Sequence, residues 1–252
     1  MFFYAPEQGA DLFRFAREFV RDLPDECGVF LAGLNAPPEP FVPEEHQHAP
    51  VFVLAVVGLG SEAAHAQLVA PVRESMPGFF ELVTPIPYTA LQQMFDPAAP
   101  WGILAYEKAV YLDDLSDEAI DVIVRHQPRK ASPLSFLPIF VLGGAYSRAG
   151  DNASAFGGSR DIKDVVNISA ACATPELLEA DRAWVRAFWS DLVQHASGVG
   201  SYVNFMSEYD ENRVRAAYGA EKYERLARIK ADYDPNNVFH LNANIPPASP
   251  AT

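Results

Sequence analysis

A chain of 252 residues with 19 Lys+Arg against 33 Asp+Glu carries a formal net charge of −14 and is 49% hydrophobic. That composition excludes a disordered chain, and it argues against duplex binding, because phosphate neutralisation needs clustered Lys and Arg. The length fits one large domain or two small ones with a core that needs no staples, and two cysteines, Cys27 and Cys172, build neither a disulfide framework nor a four-ligand zinc knuckle.

Phe2 to Ala5 reads as a short strand. A helix follows from Gly9 to Leu23, with Leu12, Phe13, Ala16, Phe19 and Val20 on one face at the helical period. Cys27 to Leu34 is strand-like, and Asn35 to Pro50 is a loop with five prolines and two histidines. Val51 to Val57 is continuous and β-branched, as a central strand should be. A helix over Ser61 to Ala70, a strand over Phe79 to Thr84 and a short helix over Thr89 to Phe95 come next. Ile103 to Leu112 reads as a strand, and Ser116 caps a helix to Arg125. Phe136 to Leu142 and Val165 to Ala171 are two more strands around a loop running from Gly143-Gly144 to Gly157-Gly158. Thr174-Pro175-Glu176 combines a capping hydroxyl, a first-turn proline and an acid at the positive dipole end, and starts a helix to about His195. Tyr202 to Met206 reads as an extended segment. A last helix covers Ala220 to Ala231 and ends before Asp234-Pro235.

Helices and strands alternate without a strict βαβ rhythm, so the expected class is α+β, with a mostly antiparallel sheet flanked by helices. The longest apolar run, Val51 to Leu59, falls well short of the ~20 residues that cross a bilayer. Met1 to Pro6 lacks a basic n-region and meets Glu7 and Asp11 at once, so a cytoplasmic protein that binds neither membrane nor nucleic acid is expected. The tail from Pro246 is expected to fray.

Residue types alone give little chemistry. His46 and His48 beside Glu44 and Glu45 sit in a proline-rich loop that preorganises metal ligands poorly, and a polar loop is the simpler reading. The paired glycines fit neither phosphate-loop pattern and read as turn punctuation, with Arg160 and Lys163 paired to Asp161 and Asp164. Cys172 inside an apolar strand reads as an inert small hydrophobe. Tyr202 and Asn204, two apart on an extended segment, share one face, and an ordinary strand end accounts for them.

Longer patterns say more. Tyr202-Val203-Asn204-Phe205, Arg213-Val214-Arg215-Ala216-Ala217-Tyr218-Gly219, Tyr223-Glu224-Arg225-Leu226-Ala227, Ile229-Lys230-Ala231-Asp232-Tyr233-Asp234-Pro235-Asn236-Asn237-Val238-Phe239 and Leu241-Asn242-Ala243-Asn244-Ile245 stand in order at the chain's end. Together they resemble the signature of the berberine-bridge-enzyme-like FAD-linked oxidases, of the vanillyl-alcohol-oxidase superfamily. Upstream, Pro85-Ile86-Pro87-Tyr88, Gly143-Gly144-Ala145 and Ala155-Phe156 with Arg160 resemble bacterial members in the same order.

The resemblance implies a substrate-binding α+β domain over residues 1–200, a C-terminal berberine-like segment over 201–247 that in the family packs on the FAD domain, and a disordered tail over 248–252. The family's N-terminal FAD-binding domain would precede Met1. The implied chemistry is oxidation of a small organic substrate by hydride transfer to FAD, with oxygen as acceptor. The isolated chain is expected to be inactive. Tyr202 and Asn204 are implied near the isoalloxazine ring, with Asn242 and Asn244 seating the flavin edge. In many members a tyrosine after that first asparagine acts as base, whereas Phe205 here takes no proton. Tyr202 and Tyr146 are the candidates to replace it, given a local charge that lowers a phenol pKa from about 10. Two other readings stand beside this one: a cofactor-free binding protein or pseudoenzyme, as a monomer or homo-oligomer, and a half-enzyme completed by a separately encoded FAD-binding domain.

Overall fold

The computed structural model describes residues 1–96, 100–198, 201–208 and 210–249. Seven strands form one sheet: β1 (Phe2–Tyr4), β2 (Cys27–Asn35), β3 (Pro50–Gly58), β4 (Phe80–Glu81), β5 (Leu104–Leu112), β6 (Leu137–Val141) and β7 (Asp164–Cys172). Their order is β4-β1-β3-β2-β6-β7-β5, and every pairing among the described residues is antiparallel. The α+β class expected from the sequence is therefore the one observed.

Strand alternation gives the sheet two faces. One buries Phe2, Tyr4, Leu31, Phe52, Leu54, Leu112, Leu137, Ile139, Val166 and Ile168 against helices. Those helices are α1 (Gly9–Phe19), α2 (Glu62–Ser75), α4 (Asp117–His126) and α6 (Pro175–Leu192), with the short α3 (Tyr88–Gln93) and α5 (Ala145–Arg148) outside this layer. On α1 the predicted stripe is buried through Leu12, Phe13 and Ala16, and Phe13 meets Phe52 edge-on at 5.1 Å. A Cβ on Gly9 would lie 2.4 Å from the Phe52 ring, so only glycine lets the start of α1 come this close to β3. The predicted caps hold: Ser116 Oγ accepts from the Ala119 amide and Thr174 Oγ1 from the Leu177 amide.

Between α4 and α6 the contact is polar as well as apolar. Trp184 Nε1 donates to the His126 carbonyl at 2.8 Å, and the His126 ring stacks on Phe188 at 5.0 Å. Buried Asp181 on α6 accepts from the Ala131 and Ser132 amides and from Ser135 Oγ, pinning the turn that leads into β6. Strand β7 is buried at all nine positions. Cys172 lies in it with its thiol pushed up by burial, and Cys27 is likewise unbridged.

Three local expectations need correction. The second helix passes through Pro71 to Ser75, because Pro71 lies on the exposed face of the helix, where losing one backbone hydrogen bond buries no unpaired group. The strand expected over Phe79 to Thr84 shrinks to Phe80–Glu81, since only Phe80 and Glu81 find partners on β1. An unforeseen helix, α7 (Glu211–Tyr218), precedes α8 (Ala220–Tyr233); Asp210 caps it through the Arg213 amide. Of the tail, Ala248 is held by its amide to the Ala227 carbonyl at 2.9 Å, and residues 250–252 lie outside the described residues.

Candidate functional site

On the face away from the main helices, Tyr111, Val165, Phe140 and Phe30 stand side by side on β5, β7, β6 and β2. The segment carrying Tyr202 and Asn204 lies against this row. It is not extended as expected but closes a 3-10 turn over Val203–Phe205. The turn still brings the pair together: Asn204 Nδ2 donates to the Tyr202 hydroxyl at 2.8 Å. Phe205 stacks on Phe140 at 5.7 Å and meets the Tyr202 ring edge-on at 4.9 Å. Tyr202 stacks in turn on Phe156 at 5.6 Å, and Phe156 meets Tyr146 edge-on at 5.4 Å. Tyr202, Asn204 and Tyr146, separate in the sequence, therefore share one aromatic cluster.

Arg160 closes the cluster. Its guanidinium lies 4.8 Å from the Tyr146 ring centre and 5.0 Å from that of Phe156, and Nη2 donates to Ser154. The pairing with Asp161 expected from the sequence is replaced by this cation–π contact, worth more than an exposed ion pair where rings exclude water. The two tyrosine hydroxyls differ. Tyr146 donates its proton to the Ser159 carbonyl at 2.9 Å, and burial raises its pKa against the opposing pull of Arg160. Tyr202 uses its oxygen as an acceptor for Asn204, which leaves its own proton free for a third partner. Beneath them Tyr111 is 2% exposed, and its hydroxyl is buried with no partner among the described residues. Desolvation holds that phenol protonated, with Tyr146, Tyr202 and Tyr218 adding to the shift.

The glycine-rich loop seats the two C-terminal helices. The Gly158 amide donates to the Ala217 carbonyl at 3.0 Å, and a Cβ on Gly157 would stand 2.7 Å from that oxygen. Lys222 donates to the Phe156 carbonyl and Arg225 to that of Asn152, so α7 and α8 dock on the loop that carries the cluster. Asn242 and Asn244 form a separate turn beyond α8. The Asn244 amide donates to the Asn242 carbonyl at 2.8 Å, Asn242 has φ 61°, and Asn244 Oδ1 is buried without a partner among the described residues. Neither hydrogen bond nor ring contact joins this turn to Tyr202 among the described residues. In the proline-rich loop, His46 packs on Phe79 at 4.4 Å.

A hydrogen-bonded brace holds the site segment to edge strand β5. Ser201 Oγ donates to the Ala109 carbonyl, and Ser207 Oγ accepts from the Glu107 amide. Glu208 gathers Tyr106, Lys108, Arg186 and Arg213, which hold its carboxyl well below the usual range, Arg186 foremost. Residue types did not single out Glu107, yet it shares the site's face of β5, and its carboxylate accepts from Ser169 at 2.7 Å. The period-2 alternation of β5, which sets Glu107, Ala109 and Tyr111 on one side, is the signal that finds it.

Comparison with known proteins fits this geometry. The family described as "Berberine and berberine like" matches residues 201–246. An uncharacterized FAD-linked oxidoreductase of Bacillus subtilis, YgaK, is 31% identical over 136 residues, which cover 53% of this chain and 29% of that one. A second from the same organism, YvdP, is 49% identical over 49 residues, 19% of this chain and 11% of that one. Among solved structures, Physcomitrella patens BBE-like 1 superposes with TM-score 0.76 at 16% identity over 99% of this chain and 54% of that one. The 6-hydroxy-D-nicotine oxidase of Arthrobacter nicotinovorans gives 0.74 at 16% over 97% and 53%. The chain thus spans about half the length of these solved relatives. Its C-terminal segment, residues 201–246, is similar to the berberine-like family, and nearly the whole chain shares the fold of about half of each of these solved structures.

Proposed function

We propose that this chain is the substrate-binding and C-terminal portion of an FAD-dependent oxidoreductase that oxidises a small organic molecule, with oxygen as electron acceptor. The observation that carries the reading is the hydrogen-bonded Tyr202–Asn204 pair of the berberine-like segment, set in an aromatic cluster with Tyr146 and Arg160 from the glycine-rich loop. FAD, when bound, would supply the two-electron acceptor that no side chain provides. The residues fit such a group at two places: among the described residues Asn244 Oδ1 is a buried acceptor without a donor, and the Tyr202 proton has no acceptor. Tyr202, Asn204 and Asn244 would hold the flavin edge, with Asn242 shaping the turn that presents Asn244.

For proton transfer we favour Tyr202 over Tyr146. The Tyr146 proton is bound to a carbonyl and its pKa is pushed up by burial, so it positions the loop and Arg160 rather than accepting a proton. Phe205 keeps water off the cluster by packing between Phe140 and Tyr202.

A second reading, a half-enzyme completed by a separate FAD-binding domain, is favoured by one surface. Beyond α8, Asp234 ties down the Val238 and Phe239 amides and leaves Tyr233, Val238, Phe239 and Leu241 between 66% and 88% exposed. Monomers rarely leave such an apolar row uncovered. The test is a visible absorption spectrum of the chain with added FAD, alone and with the flavin domain of a relative. A flavin band that follows the chain through gel filtration, and is weakened in Tyr202→Phe and Asn244→Ala, supports the proposal. A chain that retains no flavin under either condition refutes it and leaves the cofactor-free binder.

A further inference from the structure

A groove of about 760 Å³ opens on the opposite, helix-covered side of the sheet. It lies between the last turn of α1, the start of β2, the β5–α4 turn and the facing ends of β6 and β7. Its size suits a small molecule. Its floor is Asp164, the first residue of β7, which is 6% exposed and whose carboxyl has no hydrogen-bond partner among the described residues. Asp113 and Asp114 line the same groove from the β5–α4 turn.

The nearby cations are mostly committed elsewhere. Arg17 holds Asp117 and the Leu115 carbonyl, Arg21 holds Glu18, and Arg148 holds Asp25. That leaves Lys163 as the remaining cation beside three carboxyls among the described residues. Val20, Leu31 and Leu142 supply an apolar wall, and Cys27 adds a thiol kept protonated by burial. A buried carboxyl without a donor, in a cavity with both acidic and apolar lining, asks for a ligand that carries N–H donors on a short hydrocarbon body.

We propose that this groove binds a small organic ammonium ion, with Asp164 as its buried anchor, Asp114 and Asp113 as outer carboxylates, and the apolar wall covering the carbon chain. The site is independent of the flavin reading, because it lies on the other face of the sheet and uses none of the same residues. Burial and the neighbouring Asp114 push the Asp164 carboxyl up to about 7, opposed by Lys163. The anchor is therefore ionised at pH 8 and largely protonated at pH 6.

The experiment is titration of the purified chain with n-butylammonium chloride, followed by amide NMR shifts, at matched ionic strength and with n-butanol as the neutral control. The expected result is saturable binding at pH 8 that centres on residues 27–31, 112–115 and 163–164. Affinity should fall about tenfold at pH 6, the ratio of ionised Asp164 at the two values, while the ammonium stays charged throughout. Asp164→Asn should weaken binding at least as much at pH 8, and Asp114→Asn by a smaller factor. Absence of saturation, equal binding of n-butanol, or binding at these residues indifferent to pH and to both substitutions overturns the proposal. Should Asp164→Asn fail to fold, the pH dependence of the unsubstituted chain and Asp114→Asn decide it.

Discussion

Asp164 gives the sharpest stability prediction. In the unfolded chain its carboxyl ionises at an ordinary aspartate value, whereas in the folded chain it ionises at about 7. Between those values the folded state binds more protons, so stability falls as pH rises from about 4 to about 7 and then levels off. A rise from about 4 to about 7 amounts to about 4 kcal/mol once Asp164 is fully ionised in both states, since each tenfold step in the ionisation constant is worth about 1.4 kcal/mol. Asp164→Asn keeps the shape and removes the charge, at the cost of about 1–3 kcal/mol for an amide without a full set of partners. At pH 8 the variant should therefore be more stable than the parent by up to about 3 kcal/mol, and the difference should shrink by about 2.5 kcal/mol on going to pH 5. Urea unfolding followed by the fluorescence of buried Trp184 reads this directly. A difference that is the same at pH 5 and pH 8, or that grows toward pH 5, would refute the account of Asp164 as an uncompensated buried acid.

Other expectations follow from single contacts. Asp181→Ala leaves the Ala131 and Ser132 amides and Ser135 Oγ without their acceptor in a fully buried site and should cost about 3–5 kcal/mol, read as a fall in urea midpoint. Gly157→Ala drives a Cβ to 2.7 Å from the Ala217 carbonyl and should cost about 1–3 kcal/mol, with faster amide exchange in α7 and α8 but not in α1. Glu208→Gln weakens the charge on a carboxylate shared by four donors. Because the group is over a third exposed, the loss should stay near 1 kcal/mol or below, but exchange over 201–208 should quicken. The folded pKa of Glu208 is depressed, so the unsubstituted chain keeps this contribution above the ordinary glutamate value and loses it as pH falls through the folded one.

Much of the fold is legible in the sequence because local rules and tertiary context agree. The Thr174-Pro175-Glu176 start, the Ser116 cap and the β-branched Val51–Val57 run all act within a few residues, and each stands where pattern places it. The failures come from contacts the sequence does not display. The sequence reading ends the second helix at Ala70, yet the helix runs on through Pro71, whose missing amide proton is cheap to tolerate on an exposed face. Tyr202 to Phe205 alternates like a strand, but pairing with β5 falls to Ser201 and Ser207 at its flanks, so the middle is free to close a 3-10 turn. Proximity along the chain gives Arg160 a neighbouring aspartate; the rings of Tyr146 and Phe156, brought in by the glycine-rich loop, win it. Asp164 in the sequence is only a flank of a strand, and its place as the floor of a groove emerges when α1 packs across the strand ends.

The site segment is held from outside itself. Among the described residues neither Tyr202 nor Asn204 bonds to the sheet; what fixes them is Ser201 on Ala109 at one end, Ser207 on Glu107 at the other, and Glu208 locked by Tyr106, Lys108, Arg186 and Arg213. Between those anchors, among the described residues, ring stacking on Phe140 and Phe156 sets the orientation of the segment against its surroundings. Ring contacts of this kind contribute about 0.5–1.5 kcal/mol each and tolerate sliding, whereas the flanking hydrogen bonds do not. Substitutions at Ser207 or Glu208 should therefore displace Tyr202 and Asn204 as a unit and keep their mutual hydrogen bond. Substitutions at Phe140 should reorient the Tyr202 ring and leave the backbone of the segment where it is. The two classes separate by experiment: the first raises amide exchange across 201–208, and the second changes the tyrosine ring resonances alone.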